Sequence, residues 1–458
     1  MKPQVVLLTS FPQDHHLVLS VIDRLLEIGV NFTGFIDNQV PDQFEPGFLD
    51  SKLILIDRGV LAKMNDEEKK MLEAYSRKHI VVCYDYCGRM DDRTLANFNS
   101  EIVVNGALSK ADIEPGFVPE QSAELMCRFA RERARAYLDS AGIGFNEFTL
   151  HSLRAVEKEK MFEILPKLYD AQDPEFIPHN HDVLGPWCYA PLCAKITGKE
   201  EYNKKFLHVL DRTMKARPYT KEGIMGGCGN VADPLNLKGE FPLYGAHCIG
   251  TEKVVYNEMF HFHGPVFAAA ALASGERRYL NEAMKLFRHL RDFNTDKLDG
   301  IPSHYSIDEK RKGEKWSRGV AHILHGITLM FEVWPELPEP EASELIAYAD
   351  SIGEGLLRYQ DNSGLWHNIV DDADSPLETS GTMAFLITYK SLVKLGHLPE
   401  SKYAEMLDKA RGGLLRRCYR GGFAGNCSGT GLSISKDYYI RRPFNFLFTG
   451  QIVPALED

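Results

Sequence analysis

The chain has 458 residues, of which 44% are hydrophobic and 26% charged, and its formal net charge is -11. This composition is globular, and the length predicts two domains rather than a single core. An acidic protein lacks the basic surface that binds nucleic acid or an anionic membrane, so we expect neither partner.

The cysteines and the apolar runs give further bounds. The nine cysteines are an odd number without compact spacing, which favours reduced thiols over disulfides. No run of about eighteen apolar residues occurs, which argues against a transmembrane helix. The first residues, MKPQVVLLTSFPQDHH, do not read as a signal peptide. We therefore expect a cytoplasmic protein, or a periplasmic one if the N-terminus has been trimmed.

Residues 1–115 alternate between short β-branched runs and helical patterns. The runs are VVLLTS, NFTGFI, KLILID and HIVVCYD, and amphipathic segments separate three of them. This alternation predicts a parallel sheet covered by helices, which is a doubly wound α/β domain. Neither a GxGxxG motif nor a P-loop occurs, so a nucleotide-binding role lacks support and we expect no cofactor. We interpret the domain as an accessory module through which a homo-oligomer would associate.

From about residue 119 the pattern changes to successive amphipathic helices with almost no strand signal. We predict a helical linker over residues 116–144 and an all-α domain over residues 145–458. The helical segments run over residues 119–140, 146–169, 186–197, 200–216, 257–274, 277–293, 318–334, 340–359, 378–395, 400–418 and 444–456.

Several helix pairs in this region repeat one another. The segments that begin at Ile196, Ala273 and Lys394 each combine a glycine, a charged cap, a tyrosine and a helix. Turns with a glycine beside an apolar residue follow the second helices, and these turn glycines are Gly223, Gly300, Gly364 and Gly422. Six such pairs closing into a ring form an (α/α)6 toroid, which would place the turns on one rim.

The stretch from Asp299 to Gly326 is rich in binding chemistry for a connection between two helices. Aromatic rings stack on the apolar faces of sugars, and arginine can bind both oxygens of a carboxylate. Such residues recur in the turns and at the starts of the inner helices: His304, Trp316, Arg318, His322, Trp366, His367, Asn368 and Glu378. Together they predict a carbohydrate pocket.

The order of four motifs carries a resemblance to known enzymes. The motifs are GIPSHY, KWSRG, SGLWHNIVDDADSPLETSGTMAF, and CSGTG followed by YYIRRP. With them, residues 145–458 resemble the unsaturated glucuronyl and rhamnogalacturonyl hydrolases of glycoside hydrolase families 88 and 105, (α/α)6 enzymes that act on terminal uronic acids. The resemblance implies that His304, Trp316 and Arg318 line the uronate site, with Arg318 near the carboxylate. Residues 1–115 resemble in outline the Rossmann-like, amidotransferase-like modules attached to some glycosidases.

Two places depart from that family pattern. Where those families have a tryptophan and a catalytic aspartate, this chain has Tyr256 and Glu258, counted back from Pro265, and His322 replaces an aromatic residue. These changes and the two-domain layout are more similar to the related family 154, which contains β-glucuronidases. The resemblance favours an exo-acting hydrolase that removes a terminal glucuronic acid from a uronic-acid-containing oligosaccharide. An unsaturated uronyl hydrolase is the alternative.

Glu258 is the first choice for the general acid. Nearby His261 and His263 and the surrounding apolar helices would raise its pKa toward the working pH. Hydrolysis of a saturated glucuronide needs a second carboxyl group, which Asp182 or Glu378 would supply, whereas hydration of a 4,5 double bond needs one acid/base. Both of these residues could instead cap the N-termini of helices.

The remaining predictions concern substrate binding, metals and other functions. The predicted substrate-binding residues are His304, Trp316, Arg318, His322, Tyr256, Trp366, His367, His261 and His263. The HxH spacings in the chain are too weak a signal for a metal site, and we expect none. Two other functions stay open at this point: a sugar 2-epimerase, in which His304, His322 and His367 would be catalytic, and a non-catalytic sugar-binding protein.

Overall fold

The structure is a computed structural model. It describes residues 5–9, 32–36, 53–57, 66–76, 80–84, 123–141, 143–145, 147–178, 181–226, 254–307, 311–375, 377–417, 436, 439, 444–445 and 451–457. The chain divides into two compact units. The first unit contains residues 1–142, 413–429 and 440–458, and the second contains residues 143–412 and 430–439. Residues 440–458, which we predicted within the catalytic domain, therefore cluster with the first unit.

The described strands and helices are numbered in chain order. The strands are β1 (Val5–Thr9), β2 (Phe32–Ile36), β3 (Leu53–Asp57), β4 (Ile80–Tyr84), β5 (Val254–Tyr256), β6 (Tyr305–Ile307), β7 (Arg311–Lys312), β8 (Trp366–His367), β9 (Leu377–Glu378) and β10 (Phe444–Asn445). The helices are α1 (Asp66–Ser76), α2 (Ala123–Ala141), α3 (Glu147–Val156), α4 (Lys158–Asp170), α5 (His181–Leu184), α6 (Ala190–Thr197), α7 (Glu201–Ala216), α8 (Glu258–Ser274), α9 (Arg277–His289), α10 (Ser317–Val333), α11 (Glu341–Tyr359), α12 (Thr379–Lys394), α13 (Glu400–Arg417) and α14 (Ile452–Leu456).

The first unit contains a five-stranded sheet in the order β10-β2-β1-β3-β4. Strands β1 to β4 pair in parallel and match the four predicted runs to within one residue, while β10 is antiparallel to β2. In β3, the consecutive residues Ile54, Leu55 and Ile56 are all fully buried. Neighbouring strand residues point to opposite faces, so both faces of the sheet are covered at β3. Most of the segments that would cover it lie outside the described residues, and the doubly wound arrangement stays a prediction.

In the second unit, the helices α8, α10 and α12 form the inner layer and run parallel to one another. Every residue of α8 from Glu258 to Ala271 is buried, as expected of a helix that is surrounded by others. A Cβ added at Gly326 of α10 would lie 2.9 Å from the backbone oxygen of Phe260 in α8, and Ser317 at the start of α10 bonds Glu378 just before α12. The N-termini of these three helices consequently lie at the same end of the unit.

Two sets of glycines repeat along the second unit, as the sequence pattern predicted. The predicted turn glycines Gly223, Gly300 and Gly364 have φ angles of +75°, +76° and +88°, which confirms the turns. Gly422 lies outside the described residues. A second set, Gly198, Gly275 and Gly396, ends α6, α8 and α12 with φ angles of +71°, +73° and +76°. In these helix pairs, one glycine with a left-handed backbone conformation thus follows the first helix, and another lies in the turn after the second helix.

The tyrosine of the predicted repeat links successive outer helices. Tyr279 at the start of α9 donates a hydrogen bond of 2.8 Å to Asp211 in α7, and Tyr403 in α13 donates one of 2.7 Å to Asp350 in α11. Burial, followed by the hydrogen bond to Asp170 in α4, likewise raises the pKa of Tyr202 in α7 to about 12. In each of these three repeats, a tyrosine hydrogen bond therefore links an outer helix to an earlier helix.

The structure corrects three details of the predicted second domain. The helix predicted over residues 146–169 is two helices, α3 and α4, which are separated at Glu157, where the backbone is not helical. The helix predicted over residues 444–456 begins as strand β10, and among its described residues 452–456 form an α-helix. Short strands also occur where almost none were expected: β5, β6 and β7 form one small sheet, and β8 and β9 form another.

No helix within the described ranges is both long enough and apolar enough to cross a membrane.

The left-handed turn at Gly364 gives a first testable prediction. A Cβ at this position would lie 1.9 Å from the backbone oxygen of Lys409, whereas a Cβ at Gly396 would meet nothing within 4 Å. We expect Gly396→Ala to lower the free energy of unfolding by about 1 kcal/mol through backbone strain alone. Gly364→Ala should cost about 3 kcal/mol or more, because strain and a backbone clash add. Urea denaturation followed by circular dichroism measures both, and equal losses would contradict the turn geometry.

Candidate active site

Pairing between two short strands brings Glu258 and His304 together. Strand β5 pairs antiparallel with β6, which places Tyr256 opposite Tyr305. The backbone N–H of Asn257 then donates to the carbonyl of His304 at 3.0 Å. As a result, Glu258, the first residue of α8, lies beside the His304 ring. His304 Nε2 is 2.8 Å from Glu258 Oε1 and 2.9 Å from Oε2.

The Glu258–His304 pair is buried: His304 is 0% and Glu258 is 2% exposed. Burial alone would raise the pKa of Glu258, but the charge of His304 and its hydrogen bond, assisted by His322, lower this pKa well below its usual range. Glu258 is therefore an anion at neutral pH, and His304 Nε2 donates to it. The pKa of Glu258 is thus lowered, whereas we predicted that it would be raised. The reason is that its carboxylate faces His304 rather than apolar surroundings alone.

The other ring nitrogen of His304 is also held. The Tyr439 hydroxyl lies 2.8 Å from His304 Nδ1, and the Trp316 ring packs against the imidazole with a centroid distance of 4.7 Å. All three side chains are fully buried. With both nitrogens and one face engaged, the imidazole has a single orientation toward Glu258. Tyr439 belongs to the YYIRRP motif, but its sequence distance from His304 concealed this contact.

Trp316 and Arg318 lie where α10 begins. The indole N–H of Trp316 donates to Asn368 Oδ1 at 3.1 Å, and the Arg318 guanidinium stacks over the indole at 4.6 Å. Trp316 is therefore covered by Arg318 and orients this cation, rather than forming an open platform for a sugar. A Cβ at Gly319 would lie 3.0 Å from Trp316 and 3.2 Å from His304, so this close packing requires glycine.

Four histidines form a layer beside the pair, which we call the imidazole layer: the buried His261 and His322 and the half-buried His151 and His325. His261 Nδ1 and His322 Nδ1 are 2.8 Å apart, and the rings of His261 and His325 stack at 4.6 Å. His151 packs edge-on against His325 at 4.8 Å. Burial lowers the pKa of both His322 and His325 well below the usual value, and at His322 it outweighs the opposite effect of the Glu258 charge. These two imidazoles are thus neutral near pH 7.

His263 lies two residues after His261 in α8 and so faces a different side of the helix. It contacts Arg217, whose Nη1 is 3.3 Å from His263 Nε2, and burial and this charge lower its pKa well below the usual value. The predicted residue Tyr256 bonds His181 at 3.1 Å. Asp182 follows His181 in the short helix α5, and its side chain lies outside the described part of the chain. Among the residues that are described, no group of three or more potential ligands is arranged to hold a metal ion.

Glu378 caps helix α12. Its carboxylate accepts hydrogen bonds from the backbone N–H groups of Ser380 and Gly381 and from the hydroxyls of Ser317 and Ser380. Burial raises its pKa above the usual value, against the lowering effect of these bonds and of Arg318. The geometry is that of a helix N-cap, which was the alternative weighed for this residue.

Trp366 and His367 form β8, which pairs with β9 and places Trp366 opposite Glu378. Trp366 is fully buried, donates its indole N–H to the carbonyl of Leu356 at 2.8 Å, and packs edge-on against Phe385. Trp366 is thus held in the core by these two contacts, and its role as a sugar platform stays a prediction. His367 is half-buried and its Nδ1 bonds the carbonyl of Ser375.

Lys315 organises the loop before α10, and the sequence did not single it out. Its ammonium lies 2.6 Å from Asp299, 2.9 Å from Asp371 and 3.0 Å from Asp296. Burial alone would lower the pKa of Lys315, but hydrogen bonds to these three carboxylates raise it above the usual value. This network fixes the residue directly before Trp316. In the sequence, Lys315 is one of four basic residues between positions 310 and 315, so nothing marked it as the one that pairs with these aspartates.

Comparisons with known proteins identify the family. The model of Glycosyl Hydrolase Family 88 matches residues 141–449. A structure described as a possible member of the GH105 family, from Klebsiella pneumoniae, is similar with a TM-score of 0.59 and 19% identity, covering 74% of this chain and 93% of that one. A GH105 structure from C. acetobutylicum has a TM-score of 0.53, 19% identity and coverages of 73% and 98%. A family 88 structure from Bacteroides vulgatus has a TM-score of 0.51, 13% identity and coverages of 73% and 98%.

At these identities the structural likeness establishes the fold alone. No curated protein sequence matches the chain significantly. The family match covers more than half of the chain, and it confirms the resemblance inferred from the four motifs. The chain therefore belongs to glycosyl hydrolase family 88 and is a glycoside hydrolase.

Proposed function

We propose that the protein is an exo-acting hydrolase that removes a terminal 4,5-unsaturated uronic acid from an oligosaccharide, with Glu258 as the acid/base. The observation that carries the proposal is the buried Glu258–His304 pair beside Arg318 at the common end of three inner helices. Family membership supports the same substrate class. The proposal replaces the β-glucuronidase that we favoured from the sequence, because the family match gives that interpretation no specific support.

The chemistry of a 4,5-unsaturated uronide needs one acid/base. The ring oxygen at carbon 5 makes the double bond an enol ether, so a proton added to carbon 4 leaves an oxocarbenium ion at carbon 5. Water then adds at carbon 5 and returns a proton to the base, and the resulting hemiketal opens and releases the remaining sugar. Glu258 and His304 hold one exchangeable proton between them, which is what this cycle must donate and recover.

The substrate carboxylate requires a cation near the reacting carbons, and Arg318 is suited to that role. It is 3% exposed and its guanidinium plane is set by the Trp316 ring. The N-termini of α8, α10 and α12 lie at the same end and add their positive dipole ends. His322, which follows Arg318 by one helical turn, lies within range of Arg318, His304 and Glu258. We propose that it borders the sugar ring as a neutral hydrogen-bonding group.

A saturated β-glucuronide is the second candidate, because Tyr256, Glu258 and His322 depart from the pattern of families 88 and 105. That reaction needs two carboxyl groups. Glu378 is engaged as a helix cap, so we propose Asp182 as the second group in this case. Membership in a glycoside hydrolase family sets aside the epimerase and the non-catalytic alternatives.

Replacement of Glu258 tests the acid/base assignment. We expect Glu258→Gln to lower kcat/KM on an unsaturated uronyl disaccharide at least 100-fold, because the amide cannot exchange the proton. Loss of ultraviolet absorbance at the double bond reports the reaction. Glu341→Gln is the matched control, since Glu341 is also buried and pairs with Arg277, outside the site. If the wild type is active and Glu258→Gln has the same kcat/KM, the assignment is refuted. If the wild type cleaves a 4-nitrophenyl β-glucuronide faster than the unsaturated disaccharide, the second candidate function is favoured.

Removal of His304 should change the pH dependence. In the wild type, Glu258 stays ionised below its ordinary pKa because His304 lowers that pKa, so the acid limb of the kcat/KM profile should lie below about pH 4.5. In His304→Gln only the effect of burial remains, and the limb should move to higher pH. His289→Gln serves as control, because His289 is buried and bonds Ser306 instead. A limb that does not move in His304→Gln would show that the pair does not set the protonation of the site.

The role of Glu378 can be separated from catalysis. We expect Glu378→Gln to lower the free energy of unfolding by about 1–3 kcal/mol, because an amide NH2 must then face backbone donors. The folded variant should keep kcat to within a few-fold. Urea denaturation and kcat on the same preparation give both quantities. Unchanged stability with a 100-fold loss of kcat would make Glu378, rather than Asp182, the second carboxyl group.

A further inference from the structure

A second cavity lies in the helical unit, far from Glu258. Its volume is about 550 Å³, and its walls come from the ends of α3, α8 and α10, the start of α4, and α6 with the turn before it. This size is within the range of small-ligand sites, which is about 300–1,000 Å³. We call it the far cavity and define it by Phe162, Tyr189, Trp334, Lys158 and Lys195.

The far cavity is separate from the proposed active site. Glu258 begins α8, whereas the cavity residue Leu272 lies fourteen positions later in the same helix. A rise of about 1.5 Å per residue puts these two Cα atoms about 21 Å apart. In α10, Arg318 and the cavity residue Val333 are separated by a similar length. A molecule of monosaccharide size cannot reach from one site to the other.

Aromatic and aliphatic side chains form most of the cavity wall. Phe162, Tyr189 and Trp334 supply three rings, and Leu192 and Leu272 supply aliphatic surface. Leu272 is 42% exposed, which is unusual for a leucine of the inner layer. Rings and aliphatic groups in a concave site favour a ligand that also has a flat or apolar face.

The wall carries three cations, Arg154, Lys158 and Lys195, and two carboxylates, Glu332 and Glu336. Lys158 and Lys195 are exposed and form no ion pair with any residue that the structure describes, and the ammonium of Lys158 lies 5.8 Å from the centre of the Phe162 ring. The third cation, Arg154, is paired with Glu332. An anionic ligand would therefore meet two ammonium groups beside the rings.

We propose that the far cavity is a second binding site, for a ligand that combines a six-membered ring with a carboxylate. The ring would pack against Trp334 and Phe162, and the carboxylate would lie between Lys158 and Lys195. A hexuronic acid and an aromatic acid share this chemistry. The site needs no catalytic step and does not depend on the substrate proposed for the active site.

Tryptophan fluorescence offers a direct test. Of the four tryptophans, Trp187, Trp316 and Trp366 are at most 1% exposed, and only Trp334 is partly exposed. Quenching by the neutral molecule acrylamide therefore reports Trp334. We expect glucuronate, benzoate or both, at about 10 mM, to lower the quenching constant at least twofold, while glucose does not. Protection of Trp334 by glucuronate or by benzoate then shows whether the far cavity binds a sugar acid or an aromatic acid.

Charge variants test the lysines. Lys195→Glu should abolish the protection, whereas Lys199→Glu should retain it, because Lys199 is exposed on the same segment but does not line the cavity. Trp334→Phe should show little quenching with or without ligand. The proposal is overturned if neither carboxylate protects, if glucose protects equally, or if Lys195→Glu and Lys199→Glu behave alike. None of these changes touches the proposed active site, so activity should persist in each variant.

Discussion

The proposed chemistry depends on one buried pair, the Glu258 carboxylate and the His304 ring, and neighbouring groups hold it in place. Removing two charges from water is costly, and mutual attraction repays that cost only when geometry is fixed and the remaining polar groups are satisfied. His304 meets both conditions: its backbone is tied to Asn257 through β5 and β6, and its second nitrogen faces Tyr439. The two side chains are thus held in one geometry away from water, with the His304 Nε2 proton directed at Glu258.

The site is assembled from helix starts rather than from one contiguous segment. Glu258, Arg318 and Glu378 stand at or near the N-termini of α8, α10 and α12. Each N-terminus carries unsatisfied backbone N–H groups and a partial positive charge. Glu378 satisfies one such end by capping it, and Arg318 adds a full cation nearby. An excess of positive potential at a common rim is the condition under which an anionic sugar is retained, and it also stabilises Glu258 in its ionised form.

The sequence predicted the elements better than it predicted the contacts. Hydrophobic periodicity located nearly all of the described helices, and glycines beside apolar residues located three turns, because both signals are local. The contact between His304 and Tyr439 joins residues 135 positions apart, so no local pattern contains it. The sign of the Glu258 pKa shift was missed for a related reason. It depends on the pairing of β5 with β6, and strands of three residues are too short to show alternation. The full burial of Trp366 was not predicted either, because burial cannot be read from a single aromatic residue.

The antiparallel pairing of β10 with β2 has a consequence for synthesis of the chain. Most domains acquire their structure as they leave the ribosome, starting with the N-terminal one. Here residues 444–445 pair with β2, while the other described strands of this sheet lie within residues 5–84, so the pairing forms only after the intervening helical unit has been synthesised. Until then the N–H and C=O groups on the outer side of β2 stay available to another nascent chain. Strand β10 therefore protects this edge of the first unit, and two segments far apart in the chain complete the sheet together.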